Sequence, residues 1–85
     1  MTINEEYLKN KLINNLDAFY VSVHDESDGC GAKFNVIIVS DKFVGKTLLQ
    51  RHRMVNEILT EELKEIHAFS QKTLTIEQWN NINKN

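Results

Sequence analysis

The sequence predicts an α+β fold in which a mixed three-stranded sheet carries helices on one face. Residues 34–39 are apolar at five of six positions, which is typical of a central strand buried on both sides. Apolar residues spaced by three or four on both sides of this run indicate amphipathic helices. An alternating segment at 19–24 and a mixed polar and apolar segment at 66–73 indicate two further strands.

The first helix is predicted over residues 3–16. Thr2 is followed three residues later by Glu5, which fits a capping box at the start of a helix. A leucine then recurs at every fourth position, at Leu8, Leu12 and Leu16. We therefore expect the helix to pack on the sheet through this apolar stripe.

The first two strands are predicted to pair antiparallel, because a single loop joins them. Phe19, Val21 and Val23 alternate with polar residues and should form the buried face of the first strand. The connecting loop, residues 25–31, is charged, contains turn-forming residues and is longer than a tight hairpin needs. Loops of this kind often carry function.

The segment after the central strand predicts a second helix and a short third one. The buried face of the second helix should consist of Leu48, His52, Val55 and Leu59. Arg51 and Arg53 would then face solvent, and Thr60 could cap a short turn that follows. This crossover supplies enough chain for the third strand to run parallel to the second.

The last helix is predicted to begin after Thr75, which forms a second capping box with Gln78. The helix would carry Trp79, and residues 80–85 should fray at the terminus. Eighty-five residues suffice for one core, so we expect a single domain over 1–85.

Composition narrows the class of function. The net charge of −2 and a pI near 5.9 argue against broad binding of nucleic acid through phosphates. One cysteine cannot form an internal disulfide, which favours a reduced cytosolic or nuclear setting. The acidic N-terminus lacks the features of a signal or transit peptide, and the apolar runs are too short to span a bilayer. We expect a soluble protein.

Three residues are candidate metal ligands. Cys30 lies between two glycines in the exposed loop, although a free cysteine is more often a small hydrophobic residue than a ligand. His67 begins the third strand. Its imidazole is equally well explained as a metal ligand or as a group that hydrogen-bonds to the backbone. His24, at the end of the first strand, is the weaker candidate. These donors are too few for an iron-sulfur cluster, so any cluster must be shared with another molecule.

One basic cluster is a candidate nucleic-acid surface, formed by Lys42, Lys46, Arg51 and Arg53. A solvated helix face is the more ordinary interpretation of such a cluster. The nearby segment 43–46 contains one glycine, whereas the backbone clamp of KH domains uses Gly-X-X-Gly. No serine, histidine and aspartate pattern or paired carboxylates indicate catalysis, so we do not expect an enzyme.

Several motifs together closely resemble the BolA family, and they span nearly the whole chain. They are Cys30-Gly31-Ala32-Lys33-Phe34, Phe43-Val44-Gly45-Lys46, Arg51-His52-Arg53-Met54-Val55-Asn56 and Ile66-His67-Ala68-Phe69. The sequence is most similar to the short cytosolic branch of that family. It departs from the usual pattern at Ile76, where a proline commonly begins the last helix.

The resemblance implies a class II KH-like fold, α-β-β-α-α-β-α, which agrees with the order of elements derived above. It also implies a partner, a cytosolic monothiol glutaredoxin, in a heterodimer bridged by a [2Fe–2S] cluster. Cys30 matches the variable ligand loop of the family and His67 its C-terminal histidine ligand. The glutaredoxin cysteine and the thiol of glutathione would supply the other ligands, and the isolated chain would be a monomer without a cluster.

Two function classes follow from the resemblance. The first is an adaptor without enzymatic activity in iron-sulfur cluster trafficking or maturation, or in iron sensing. The second is a KH-like, nucleic-acid-binding transcriptional regulator, because other family members are linked to transcription. The acidic net charge and the incomplete glycine loop favour the adaptor, with only weak binding of nucleic acid.

Overall fold

The computed structural model describes residues 3–84. The elements are α1 (Glu5–Leu16), β1 (Tyr20–Asp25), β2 (Lys33–Val39), a 3-10 turn (Asp41–Phe43), α2 (Leu48–Ile58), α3 (Thr60–Leu63), β3 (Ala68–Leu74) and α4 (Ile76–Ile82). This order of helices and strands confirms the α+β fold predicted from the sequence.

The sheet has the strand order β1-β2-β3. β1 and β2 pair antiparallel, with Tyr20 opposite Val39. β2 and β3 pair parallel, from Lys33 opposite Ala68 to Val39 opposite Leu74. The prediction of a mixed sheet with the apolar strand in its centre is confirmed.

The core lies between the sheet and the first two long helices. Its main members come from every layer: Leu8, Leu12 and Leu16 of α1, Phe34, Val36 and Ile38 of β2, and Val55 and Leu59 at and after the end of α2. The leucine stripe and the alternation in β2 place these side chains on facing surfaces. Burial of this apolar surface is the main force that holds the helices on the sheet.

α4 covers one end of the other sheet face, so the expectation that all helices lie on one face was wrong for this helix. The ring of Trp79 stacks on that of Tyr20, with centroids 4.7 Å apart. Tyr20 alternates with the core residue Val21 and therefore belongs to the second face, next to Val39 and Leu74. Val39 is fully buried and Leu74 almost so, which explains why β2 is apolar on both sides.

Two helix starts differ from those predicted. α1 begins at Glu5, and its N-cap is Asn4, whose Oδ1 accepts from the Tyr7 backbone N–H at 2.8 Å. Thr2, the predicted cap, lies outside the described residues. Asn4 stands in extended backbone directly before the helix, and asparagine is one of the strongest N-cap residues.

Thr60 was expected to cap α3, but it is the first residue of that helix, and α3 has no side-chain cap. The hydroxyl of Thr60 donates back to the carbonyl oxygens of Asn56 and Glu57, at 3.2 and 2.8 Å. α3 therefore follows α2 almost without interruption, and the Thr60 hydroxyl bonds to the end of α2. The predicted capping box of Thr75 and Gln78 is confirmed.

Two apolar residues expected in the core are exposed. Phe19 is 62% exposed and precedes β1, although its backbone N–H still donates to the carbonyl of Val39 at 2.8 Å. Leu48 is 61% exposed, because α2 reaches the core through its second half, where Val55 lies. β3 begins at Ala68, two residues later than predicted, while Ile66 is buried in the core.

α4 continues to Ile82, three residues into the segment that was expected to fray. Within residues 3–84, no helix combines the length and the apolar character needed to cross a lipid bilayer.

Candidate functional site

The candidate site lies where β2 and β3 begin. Because these strands are parallel and Lys33 lies opposite Ala68, the residues that precede each strand meet at the same end of the sheet. The backbone N–H groups of His67 and Ala68 both donate to the carbonyl of Ala32, at 2.8 and 3.2 Å. The exposed loop before β2 is thereby joined to the turn before β3.

Short-range hydrogen bonds shape the loop that carries Cys30. Asp28 and Gly31 form an isolated antiparallel bridge. The Asp28 carboxylate also accepts from the backbone N–H of Cys30 at 2.8 Å, which makes a tight turn around the cysteine. Ser27 Oγ accepts from the Lys33 N–H at 2.9 Å and fixes the loop to the start of β2. The thiol of Cys30 is free and exposed.

Gly31 brings this loop into contact with His67. A Cβ atom added to Gly31 would lie 3.0 Å from the Cβ and 3.5 Å from the Cγ of His67. The φ of Gly31 is +135°, a conformation that other residues adopt only under strain. Both the close approach and the backbone conformation therefore require glycine here. The absence of a side chain at Gly31 leaves room for His67.

The site offers one thiol and one imidazole on an exposed surface. Both Cys30 and His67 are exposed, and both are common ligands of iron in proteins. Within residues 3–84, no group of three or more histidine, cysteine, aspartate or glutamate side chains is placed to hold a metal ion. A cluster bound at this site would need further ligands from another molecule.

His24 is not brought to this site. It lies on β1, opposite Asn35 of β2, whereas His67 precedes β3 on the other side of the central strand. His52 is also distant in the fold, since it lies on α2 and lines a groove beside the far end of β3. Of the two predicted histidine ligands, only His67 approaches the Cys30 loop.

The basic cluster is only partly available for binding. Lys42, Lys46 and Arg53 are exposed. Arg51, expected to face solvent, is half-buried and donates to three oxygens: the carbonyl of Lys46, the carbonyl of Thr73 and the side chain of Gln78. Its guanidinium also lies 5.9 Å from the centre of the Phe43 ring. These contacts join α2 to the start of α4 and give Arg51 a structural role that its helical spacing alone did not indicate.

A further residue was not recognised in the sequence. Glu62 is fully buried, and its Oε2 accepts from the Tyr7 hydroxyl at 2.6 Å and from Lys11 Nζ at 2.7 Å. Burial alone would raise the pKa of Glu62, but the hydrogen bonds from Lys11 and Tyr7 hold that pKa below its ordinary value. The same carboxylate raises the pKa of both Tyr7 and Lys11. The partners are more than 50 residues apart in sequence, so no local pattern marks this cluster.

Comparison with known proteins places the chain in a family. The pattern of the BolA-like protein family matches residues 12–78. BolA-like protein 2 of Mus musculus is 55% identical over 80 residues, which are 93% of both chains. The DNA-binding transcriptional regulator BolA of Escherichia coli is 36% identical and aligns with 91% of this chain and 80% of its own.

A solved structure gives the same result for the fold. The crystal structure of a Bol-like protein from Babesia bovis has a TM-score of 0.91 to this chain and is 39% identical. The superposition covers 99% of this chain and 98% of that one. The resemblance that the sequence motifs carried is confirmed, and the chain belongs to the BolA family.

Proposed function

We propose that this protein is an adaptor without enzymatic activity that binds a monothiol glutaredoxin and shares a [2Fe–2S] cluster with it. The adaptor would act in the cytosol or nucleus, in cluster trafficking or maturation or in iron sensing. The observation that carries the proposal is the contact of Gly31 with His67, which holds the Cys30 loop beside the histidine. Relatives named BolA-like protein 2 support the assignment to this branch.

The supply of ligands supports a shared cluster. A [2Fe–2S] cluster takes four protein or thiol ligands, and Cys30 and His67 would provide two of them. The glutaredoxin cysteine and the thiol of glutathione would provide the other two. Because the side chains of Cys30 and His67 are exposed, a partner can approach them without unfolding the loop.

The two ligands would differ in how firmly they are placed. The backbone of His67 is bonded to Ala32, whereas Cys30 lies at the tip of an exposed turn. Protonation releases an imidazole ligand from a metal as the pH falls. A cluster held only by thiolates lacks this route of loss near neutral pH. We therefore expect the heterodimer to lose its cluster at a higher pH than a glutaredoxin homodimer held by thiolates.

Reconstitution tests the proposal. Mixed with a monothiol glutaredoxin, glutathione, iron and sulfide, the wild-type protein should give a coloured heterodimer, whereas the protein alone should hold no stable cluster. His67→Ala should change the visible absorption and circular dichroism most, and Cys30→Ala less, because water or another donor can replace a ligand on a turn.

His24→Ala is the matched control, since this exposed histidine lies on the opposite edge strand. It should leave the spectra and the stability of the cluster unchanged. Wild-type spectra and stability in the His67→Ala mixture would remove His67 from the site and defeat the proposed mechanism.

A nucleic-acid-binding regulator is the second candidate function, favoured by the likeness to the DNA-binding transcriptional regulator BolA of Escherichia coli. Lys42, Lys46 and Arg53 would meet phosphates, while Arg51 is engaged within the fold. With three free cations and a net charge of −2, we expect weak binding that falls steeply with salt. Tight, sequence-selective binding to DNA or RNA near physiological salt would reverse the order of the two functions.

A further inference from the structure

A groove of about 470 Å³ lies beside the end of β3 that is distant from His67. Its first wall is the beginning of α2, with Leu48, Arg51 and His52. Its second wall is the last part of β3, residues 71–74, and Gln78 of α4 completes the lining. The volume is within the range of sites that hold a bound molecule.

Three buried polar atoms without hydrogen-bond partners line this groove. They are Nε2 of His52, Oε1 of Gln71 and Oγ1 of Thr73. Thr73 is only 3% exposed. A buried polar atom without a partner costs free energy, and such atoms are few in native proteins. The meeting of three of them in one groove indicates a bound group that supplies their partners.

The groove also follows an open edge of the sheet. β3 is an edge strand, and its peptide groups alternate in direction. The carbonyl of Leu74 faces β2, since it accepts from the N–H of Ser40, whereas the carbonyl of Thr73 faces away and accepts from Arg51. By the same alternation, the peptide groups of Phe69 and Gln71 face away from β2. An extended chain could pair with them as an added strand.

The surroundings of the groove favour a peptide. Leu48, which lines the groove, is 61% exposed, and its neighbour in sequence, Leu49, is 59% exposed. Such a group of exposed apolar side chains on a small protein is typical of a protein interface. Leu48, His52 and Asn56 form one stripe along α2, about 12 Å long, which matches roughly four residues of extended chain.

The charges of the groove select an acidic partner. Arg51 is among its lining residues and keeps its positive charge while it donates to neutral oxygens, and none of the lining residues is acidic. Lys72 also borders the groove, although its side chain alternates to the other sheet face. Exposed Lys46 lies close by, since its carbonyl accepts from Arg51. We propose that the groove binds an extended, acidic segment of a partner protein, which adds to β3 as a fourth strand. Because this groove and His67 lie at opposite ends of β3, the proposal is independent of the cluster.

Selection from a library of random octapeptides displayed on phage, with the full-length protein as bait, tests this proposal. We expect enriched sequences in which apolar residues alternate with aspartate or glutamate. A synthetic peptide of the consensus should shift the backbone NMR signals of Leu48, His52, Gln71 and Thr73. It should also slow hydrogen exchange at the N–H groups of Phe69 and Gln71, which face the added strand.

Thr73→Val separates a binding role from a structural one. The substitution removes a hydroxyl that has no partner in the free protein, so the free protein should be as stable as the wild type or more stable. Peptide affinity should fall about fivefold, the effect of one lost hydrogen bond. Ser70→Ala is the control, because Ser70 is exposed on the same strand but alternates to the opposite sheet face.

Four outcomes would overturn the proposal. The first is that no sequence is enriched, and the second is that the enriched peptides are not acidic. The third is unchanged peptide affinity in Thr73→Val, which would mean that the peptide makes no hydrogen bond with the Thr73 hydroxyl. The fourth is binding of single-stranded oligothymidylate to the same residues with displacement of the peptide, which would assign the groove to nucleic acid.

Discussion

Gly31 lets the loop that carries Cys30 lie against His67. Replacing Gly31 with alanine would place a Cβ 3.0 Å from that of His67, at a φ of +135°. We expect Gly31→Ala to destabilise the protein by about 1–3 kcal/mol and to reduce the yield of the shared cluster. Urea denaturation and reconstitution would measure the two effects. Gly29→Ala is the matched control, because nothing lies within 4 Å of its added Cβ. Equal behaviour of the two variants would contradict the role given to Gly31.

Glu62 makes the stability of the fold depend on pH. Its ordinary pKa is 4.5, and the folded protein holds it lower. The unfolded chain therefore takes up the proton first as the pH falls. The stabilisation from Glu62 is complete above its unfolded pKa and is lost as the pH falls through the lower, folded value.

Glu62→Gln keeps the shape of the side chain and removes its charge. We expect a loss of about 1–3 kcal/mol near neutral pH, since hydrogen bonds to a charged group are lost, and a weaker dependence of stability on acid. The neighbouring Glu61→Gln should have little effect, because Glu61 pairs with Lys64 on the surface. Denaturant titrations at pH 4 and 7 would show the difference, and a loss of the same size at both pH values would exclude this role.

Single residues were the least predictable part of the site. Cys30 and His67 could be proposed from their positions, but their approach through Gly31 depends on the parallel pairing of two strands. Arg51 was predicted to face solvent because it lies outside the predicted buried face of α2. Its acceptors at Thr73 and Gln78 are 22 and 27 residues away, so local periodicity holds no information about them.

Among the elements, α4 depends on its cap. Thr75 and Gln78 form a reciprocal capping box at the start of this seven-residue helix. Thr75→Ala should destabilise the protein by about 1 kcal/mol, because a backbone N–H loses its acceptor. Thr60→Ala is the comparison, since Thr60 makes no cap and its hydroxyl donates to carbonyls of α2. Urea denaturation should show the smaller effect for Thr60, and the reverse order would contradict the cap assignment.

Helices and strands were predicted well where a local sequence pattern reflects the conformation of the backbone. The capping box at Thr75 and the apolar run of β2 are local signals, and both led to the right element. Burial of individual apolar residues was less predictable, as Phe19 and Leu48 show. Periodicity indicates which side chains share a face, but not whether another layer of the protein covers that part of the face.

At the scale of the whole molecule, the sheet order predicts a gradient of protection. β2 is paired on both sides, whereas the outward peptide groups of β3 face the open edge. In native-state hydrogen exchange, backbone N–H groups of β2 should be among the slowest. Those of Phe69 and Gln71 should exchange faster than those of Ser70 and Lys72 on the same strand. Uniform rates along β3 would show that its outer edge is covered in the free protein.

The parallel start of β2 and β3 gives the two candidate ligands different freedom to change during evolution. His67 is tied to Ala32 through its own backbone, so its place is set by the sheet. Residues 26–30 lie in a surface connection that can gain, lose or exchange residues without altering either strand. Related proteins could therefore vary the candidate ligand in the loop, and with it the lifetime of the proposed cluster, while the position of the histidine is kept by the sheet.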